Sequence, residues 1–250
     1  MAQRVAFLIA GVQKAGTSAL HRYLSDHPEL YLPRQKELHF FDNESLTWPP
    51  DNDDSHTLYH TQFETAPPKT IWGEATPIYS YWWPSMARIW EYNPGMKFII
   101  LLRNPITRAF SHWNMERQRG NETLGFLEAL RTEQQRCRLA VPQQHRIFSY
   151  CDRGFYSEQL RRLWHFFPRR QTLVIKQDAL LHEPANTLAL VHSHLNVSPM
   201  SIDDPQRTHC LAYDQDMEPE AYRWLKSVFE PEIRTLETML QWDCSDWLHA

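Results

Sequence analysis

The sequence predicts an α/β fold: a single domain over residues 1–250 with a mainly parallel central sheet flanked by helices. Two observations support this prediction. Short apolar runs of strand length alternate with segments of helical periodicity, which is the pattern of parallel strands joined by crossover helices. The length of 250 residues also favours one domain, and no repeat, low-complexity tract or linker interrupts the sequence.

Four apolar runs are the predicted strands of the sheet. They are Val5–Val12, Ile71–Trp72, Phe98–Leu102 and Thr172–Ile175. The first, third and fourth runs are followed by polar residues, and continuous apolar runs are typical of parallel strands that are buried on both faces. We therefore expect about four or five strands, with these three runs at the centre of the sheet.

Helical periodicity accounts for much of the remaining sequence. Helices are predicted over Ser18–Ser25, Pro105–Gln118, Glu122–Arg138, Ser157–Phe167 and an apolar stripe from Tyr222 to Leu240. Pro231 should bend the last helix or divide it in two, because proline lacks the N–H that continues a helix. Residues 43–70 hold four prolines and an acidic run, so we expect an irregular segment that acts as a lid or substrate loop.

Charge and apolar run length exclude several classes of protein. Lys and Arg total 26 against 30 Asp and Glu, and a net charge of −4 argues against a general nucleic-acid-binding protein. The apolar run near the N-terminus, Val5–Ala10, is too short for a membrane span or a signal peptide. Four widely separated cysteines indicate reduced thiols. We therefore expect a soluble, cytoplasmic protein.

A glycine-containing loop follows the first predicted strand and opens the first helix. Between Gly11 and Ser18 it has the glycine spacing of the phosphate-binding pattern GxxxxGK[ST]. Thr17 replaces the usual lysine after Gly16, and the lysine stands inside the loop at Lys14. Since no strand is followed by a Walker-B aspartate, the loop predicts an anion site that works without Mg²⁺; the alternative is a simple turn.

A second polar cluster follows the Phe98–Leu102 strand. It begins at Arg103 and includes Ser111, about two turns into the next predicted helix. Ligands of open parallel sheets bind beyond the carboxyl ends of the strands, where Arg103 lies. Both side chains could contact one phosphate, the arginine through its charged fork and the serine through its hydroxyl. The alternative is an ordinary ion pair at Arg103 and a packing role for Ser111.

Together, these clusters resemble the sulfotransferases that use 3′-phosphoadenosine-5′-phosphosulfate (PAPS). The sequence from Lys14 to Leu20 is similar to their 5′-phosphosulfate loop, and Arg103–Ser111 is similar to their 3′-phosphate motif. Lys36–Asp42 looks like the segment that carries the catalytic base in the heparan sulfate branch, which also has stretches like Gly73–Pro77 and Gly154–Tyr156. The resemblance covers roughly residues 5–195 and implies the P-loop-like architecture of a soluble bacterial-type member.

The resemblance implies transfer of a sulfuryl group from PAPS to a hydroxyl or amine, most simply on a carbohydrate, by in-line displacement without a metal. Lys14 would lie at the bridging oxygen, Glu37 would be the general base, and His39 would share that role or orient Glu37. The implied nucleotide-binding residues are Lys14, Ala15, Gly16, Thr17, Ser18, Arg103 and Ser111. Six aromatic residues near these segments are candidates to contact the acceptor, with Thr76–Trp83 as the main wall, although we expect most of the six to lie in the core. They are Trp48, Tyr79, Tyr81, Trp82, Trp83 and Trp113.

One part of the family pattern is absent, and three alternative functions remain open. The Lys-Gly-Arg loop of the glycan enzymes has no counterpart in Cys210–Asp216, where Arg207 or His209 could compensate. A P-loop kinase would need a lysine after Gly16 and a Mg²⁺ carboxylate, and a serine hydrolase would need GxSxG. A non-catalytic PAPS- or glycan-binding module would be expected to lose Lys14 or Glu37.

Overall fold

Five parallel strands form one sheet in the computed structural model, which describes residues 3–48, 54–201 and 215–249. The strands are β1 (Phe7–Gly11), β2 (Leu30–Tyr31), β3 (Ile71–Ala75), β4 (Lys97–Leu102) and β5 (Thr172–Lys176). Their order across the sheet is β2-β3-β1-β4-β5, and each neighbouring pair is parallel. The four predicted strands are confirmed, whereas the two-residue β2 is too short to leave a periodic pattern in the sequence.

The central strand β1 is buried along its whole length and has strand partners on both sides. In the pairing with β3, Phe7 lies opposite Gly73 and Ile9 lies opposite Ala75. A Cβ atom at Gly73 would lie 2.1 Å from Cζ of Phe7, so only glycine fits beside that ring. This close approach fixes the register that places the carboxyl ends of β1 and β3 side by side.

Nine helices lie in the described part of the chain. They are α1 (Thr17–Ser25), α2 (Asp54–His60), α3 (Ser85–Tyr92), α4 (Pro105–Gln118), α5 (Phe126–Leu139), α6 (Tyr156–Phe166), α7 (Gln177–His182), α8 (Pro184–Leu195) and α9 (Pro219–Leu240). Short 3₁₀ turns cover Thr61–Phe63, Asp152–Gly154, Arg169–Gln171 and Ser245–Leu248. α4 has its predicted bounds because Asn104 caps the N–H of Ile106 at 2.9 Å and Pro105 supplies the first helical position.

One predicted helix boundary is wrong, and of the two effects predicted for Pro231, bending or division, the division does not occur. The helix expected from Glu122 begins at Phe126, because the Glu122 carboxylate accepts the N–H groups of Thr123 and Leu124 at 2.9 Å and turns the chain first. α9 runs through Pro231 without dividing. The inner part of its apolar stripe is fully buried on both sides of the proline, and that burial outweighs one lost backbone hydrogen bond. The stripe comprises Leu225, Phe229, Ile233 and Leu236.

The segment predicted to be irregular, residues 43–70, contains α2 and the turn Thr61–Phe63, while residues 49–53 lie outside the described part. Phe63 stacks on Trp72 of β3 with ring centroids 5.0 Å apart. This part of the segment is therefore packed on the sheet. Whether any part of it acts as a lid remains a prediction.

Internal contacts divide the chain into two compact units. Unit 1 consists of residues 1–102 and 162–209 and contains the whole sheet; unit 2 consists of residues 103–161 and 210–250. A single domain over residues 1–250 therefore stays a prediction. None of the helices in the described ranges is both long and apolar enough to cross a bilayer.

Candidate active site

The anion loop leaves the carboxyl end of β1 in unit 1. The N–H of Val12 donates to the carbonyl of Leu101 on β4 at 2.9 Å, and the N–H of Ala15 closes a turn on the carbonyl of Val12 at 3.2 Å. Lys14 and Gly16 both have positive φ, 73° and 88°. The loop therefore reverses direction within a few residues and delivers the chain to the start of α1.

The N-terminus of α1 is suited to bind an anion. Gly16 is the N-cap residue, no side chain in the described part of the chain caps the helix, and its first turn has no acidic residue. Thr17 is buried and Ser18 is exposed. The first N–H groups of a helix and its positive dipole end attract negative groups, so this loop fits the predicted phosphosulfate site.

Glu37 lies at the same edge of the sheet as the anion loop. Its N–H donates to the carbonyl of Ala75, the last residue of β3, at 3.0 Å. Ala75 pairs in register with Ile9, two residues before β1 ends at Gly11. The structure therefore places Glu37 and the start of the Lys14 loop at neighbouring strand ends within one unit.

A chain of charged groups runs through Glu37. Lys36 Nζ lies 2.5 Å from one carboxylate oxygen of Glu37, and His39 Nε2 lies 3.6 Å from the other. His39 Nδ1 donates to both oxygens of Asp42, at 2.9 and 3.1 Å, and Asp42 is fully buried. Asp42 is a functional candidate that sequence reasoning missed, although it stands within the segment that resembles the heparan sulfate enzymes.

These contacts set opposite charges on Glu37 and His39. Burial raises the pKa of Glu37, but the close imidazolium of His39 and the charge of Lys36 outweigh burial and lower it to about 2. The hydrogen bonds to Asp42 and then the nearby carboxylate of Glu37 raise the pKa of His39 to about 9 despite its burial. At neutral pH Glu37 is therefore an ionised acceptor, whereas His39 carries a proton on both ring nitrogens and cannot accept another.

The predicted catalytic residues Lys14, Glu37 and His39 share an unusual backbone conformation with a positive φ angle. Positive φ angles occur at six non-glycine residues of the described ranges: Lys14, Glu37, His39, Lys69, Asn196 and Gln241. Asn196 and Gln241 are ordinary left-handed ends of α8 and α9. Lys14, Glu37 and His39 are the predicted catalytic residues, and sparsely populated backbone conformations cluster at functional sites. This signal is independent of any sequence pattern.

Arg103 and Ser111 belong to unit 2. Arg103 Nε donates to Thr107 Oγ1 at 3.0 Å, and its carbonyl accepts the hydroxyl of Tyr156 at 2.9 Å. Ser111 is buried in α4. Their joint contact with one nucleotide phosphate stays a prediction, as does the role of Arg207 or His209, which lie outside the described residues.

The stretch Gly154–Tyr156 gains a structural explanation within unit 2. A Cβ atom at Gly154 would lie 2.5 Å from the ring of Phe229 on α9, so the position needs glycine. Tyr156 reaches the backbone of Arg103. The motif therefore anchors the strand-end arginine to α6, a role that the sequence alone does not show.

Most of the aromatic residues proposed as an acceptor wall are buried. Tyr79, Tyr81, Trp82 and Trp113 are almost inaccessible and Trp48 is half-buried. Trp83 alone among the six is largely exposed, at 60%, and the Arg162 guanidinium lies 5.7 Å from its ring centroid. The Thr76–Trp83 wall thus contributes one accessible ring.

The described residues also bear on metal and thiol chemistry. Within the described ranges, no group of three or more His, Cys, Asp or Glu side chains could hold a metal ion. Cys137 and Cys151 are free thiols among the described residues. Burial raises the pKa of Cys137 to about 12, so this thiol is not an activated nucleophile.

A central parallel sheet with an uncapped helix N-terminus after β1 defines an α/β protein of the P-loop-like class. A family model described as "Sulfotransferase domain" matches residues 5–225, and the chain belongs to this family of PAPS- or PAP-binding enzymes, where PAP is adenosine 3′,5′-bisphosphate. The predicted recognition and enzyme class are thereby confirmed.

Individual relatives agree with the family. The chain is 30% identical to human heparan sulfate glucosamine 3-O-sulfotransferase 5 over 200 residues, which cover 77% of this chain and 53% of that protein. It is 28% identical to human heparan sulfate glucosamine 3-O-sulfotransferase 3B1 over 203 residues, 78% of this chain and 47% of that protein. The chain thus spans about half the length of these curated relatives.

Solved structures confirm the predicted fold. A sulfotransferase from Alicyclobacillus acidocaldarius matches with a TM-score of 0.84 and 30% identity, over 98% of this chain and 99% of that chain. Mouse sulfotransferase SULT7A1 in complex with PAP matches with a TM-score of 0.59 and 13% identity, over 95% of this chain and 86% of that chain. The second likeness shows the fold alone.

The charge assignment predicts the titration of His39. The folded pKa of His39 lies above the ordinary 6.5. The stability that its charged imidazole contributes to the folded state should therefore be fully present below pH 6.5 and lost as the pH rises through about 9. NMR of the imidazole should report a midpoint near 9, and Asp42→Asn should lower it more than Glu37→Gln does. A wild-type midpoint near 6.5 would show that the chain of charges is not formed.

Proposed function

We propose that the protein transfers the sulfuryl group of PAPS to a hydroxyl or amine of an acceptor by in-line displacement, with a carbohydrate hydroxyl as the favoured acceptor. The main support for this proposal is that an ionised Glu37 and the Lys14 loop lie at neighbouring strand ends of one sheet. Membership of the sulfotransferase domain family supports it.

The anion loop would bind the 5′ end of PAPS. In this arrangement the N–H group of Gly16 and the side chains of Thr17 and Ser18 hold the 5′-phosphate at the uncapped helix N-terminus, beside the turn that Ala15 closes. Lys14 neutralises charge on the bridging oxygen as it leaves. Arg103 and Ser111 bind the 3′-phosphate. A lysine and backbone donors can stabilise the single charge of the sulfuryl group without a metal ion.

Glu37 would act as the general base and His39 as its supporting partner. The acceptor oxygen forms a bond to sulfur, the bond from sulfur to the 5′-phosphate oxygen breaks, and the acceptor proton passes to Glu37. PAP is the leaving group. Protonated His39 orients the Glu37 carboxylate, and Asp42 keeps the proton on His39. The low pKa of Glu37 keeps it ionised over the physiological range, and the acceptor proton becomes acidic as the oxygen bonds to sulfur.

The names of the matching relatives favour a carbohydrate acceptor, and one exposed aromatic ring is compatible with it. The curated relatives that match carry names of heparan sulfate glucosamine 3-O-sulfotransferases. Trp83 presents an exposed flat ring, which suits the apolar face of a sugar or a phenol. We also place the protein in the cytoplasm, because Cys137 and Cys151 form no disulfide within the described residues; cell fractionation tests this placement.

Arg103→Ala should weaken PAP binding by about 10- to 150-fold, the equivalent of about 1.5–3 kcal/mol for a hydrogen bond to a charged group. Isothermal calorimetry with PAP measures the change. Arg138→Ala provides the matched control, since Arg138 is an exposed arginine on α5 outside the proposed site. Equal affinities for Arg103→Ala and the wild type would remove Arg103 from the nucleotide site.

Glu37→Gln should lower turnover by about 10²–10⁴-fold, the usual contribution of a general base, with PAP affinity retained. The assay follows transfer from PAPS to a glucosamine-containing oligosaccharide and, separately, to a simple phenol. His39→Asn should lose less activity, because His39 supports the base. A larger loss for His39→Asn would exchange the two roles, and sulfation of the phenol alone would replace the carbohydrate as acceptor.

Trp83→Ala should raise KM for a sugar acceptor about tenfold, because about 60 Å² of buried ring face at about 25 cal/mol per Å² is worth about 1.5 kcal/mol. The kcat value should change little. Trp90, 46% exposed on α3, provides the control variant Trp90→Ala. If both variants behave alike, Trp83 is an ordinary surface residue.

A further inference from the structure

The segment that carries the proposed base has no regular structure of its own. Residues 37–42, here called the base segment, lie in neither a helix nor a strand, yet Glu37 and His39 have positive φ. Such non-glycine conformations are strained and persist only where the surroundings determine them. Contacts from outside the base segment must therefore hold it in place.

A buried carboxylate lies behind this segment. Glu74, on β3, is 1% exposed and accepts the hydroxyls of Tyr59 and Tyr79 at 2.8 Å on one oxygen and that of Thr76 at 3.0 Å on the other. Burial raises the pKa of Glu74 to about 7 against the effect of these hydrogen bonds. The next residue, Ala75, supplies the carbonyl that holds Glu37.

Tyr79 connects Glu74 to the base segment. Its hydroxyl accepts the N–H of Phe40 at 3.0 Å and that of Phe41 at 3.4 Å. A phenolic hydroxyl has one proton to donate, and here that proton goes to Glu74. The carboxylate therefore orients the Tyr79 hydroxyl so that its lone pairs face the two backbone amides.

A second set of contacts holds the far end of the base segment. The carbonyl of Phe41 accepts Ser85 Oγ at 3.2 Å and Arg88 Nη1 at 3.1 Å. Arg88 also forms two hydrogen bonds with Glu44, at 3.1 and 2.9 Å. Because this set holds Phe41 and the residues after it, Tyr79 and Ala75 hold the part that contains Glu37 and His39.

We propose that Glu74 and Tyr79 are positioning residues that hold the base segment, and through it Glu37 and His39, at the carboxyl edge of β3. This inference rests on the proposed function, because it assigns Glu37 the role of the base. Glu74 touches neither the nucleotide nor the acceptor in this scheme. It acts through the Tyr79 hydroxyl and the backbone amides of Phe40 and Phe41.

Tyr59 offers a matched control within the same cluster. Its hydroxyl donates to the same oxygen of Glu74 at the same distance of 2.8 Å, and its ring stacks on Phe40 at 4.3 Å. Phenylalanine at either position keeps the ring and removes one hydroxyl from Glu74. Only Tyr79→Phe also removes the acceptor of the Phe40 and Phe41 amides.

The test compares Tyr79→Phe with Tyr59→Phe. Tyr79→Phe should lose more thermal stability than Tyr59→Phe, because it also leaves the buried amides of Phe40 and Phe41 without an acceptor. Tyr79→Phe alone should shift the NMR midpoint of His39 from about 9 toward 6.5 and lower kcat at least tenfold, with PAP affinity unchanged. Glu74→Gln should preserve the His39 midpoint, because its amide oxygen can still accept both tyrosine hydroxyls. Equal effects of the two Tyr→Phe variants on His39 would overturn the proposal.

Amide exchange in the wild type provides a measurement that needs no variant. The Phe40 N–H should exchange about 100-fold more slowly than the same amide in an unfolded chain, because it donates to the Tyr79 hydroxyl. Exchange at the rate of the unfolded chain would overturn the proposal. The His39 and exchange results need neither PAPS nor an acceptor. A wild-type protein that binds no PAP would therefore refute the proposed function while the positioning result stands separately.

Discussion

The pairing of β1 with β3 is the constraint on which the candidate site depends. The ring of Phe7 occupies the space that a side chain at position 73 would need, so these strands can pair closely only in the register that places Phe7 opposite Gly73. That register aligns the carboxyl end of β3 with the end of β1. The Lys14 loop leaves one strand end, and Glu37 hydrogen-bonds to the other.

Hydrogen bonds from β3 and the loop after it then fix the conformation of the base segment, which has no helix or strand of its own. A general base must stay within about 3 Å of the proton that it removes, in a well-defined orientation. An irregular loop without outside contacts would not hold a base to that distance. The Ala75 carbonyl and the Tyr79 hydroxyl fix the backbone on either side of His39. The rigidity of the central sheet is in this way transmitted to a loop with two positive φ angles.

The sequence predicts the parts of this protein that have a periodic or positional signature. Apolar runs locate four of the five strands, and Asn104-Pro105 marks the start of α4. The candidate residues of the loop and base segment follow from a resemblance to known motifs. Tertiary contacts leave no such mark: nothing periodic indicates that Glu122 delays α5, that α9 continues through Pro231, or that Tyr79 hydrogen-bonds to Phe40.

Electrostatics supports the roles proposed for Glu37 and His39, between which the sequence leaves the choice open. Both have side chains that can accept a proton, and proximity alone does not choose between them. Asp42 decides the matter, because a fully buried carboxylate 2.9 Å from Nδ1 stabilises the charged imidazole and so removes His39 as an acceptor at neutral pH. The same charge stabilises Glu37 in its ionised form. One buried aspartate thus makes its histidine a donor and leaves the neighbouring glutamate as the proposed base.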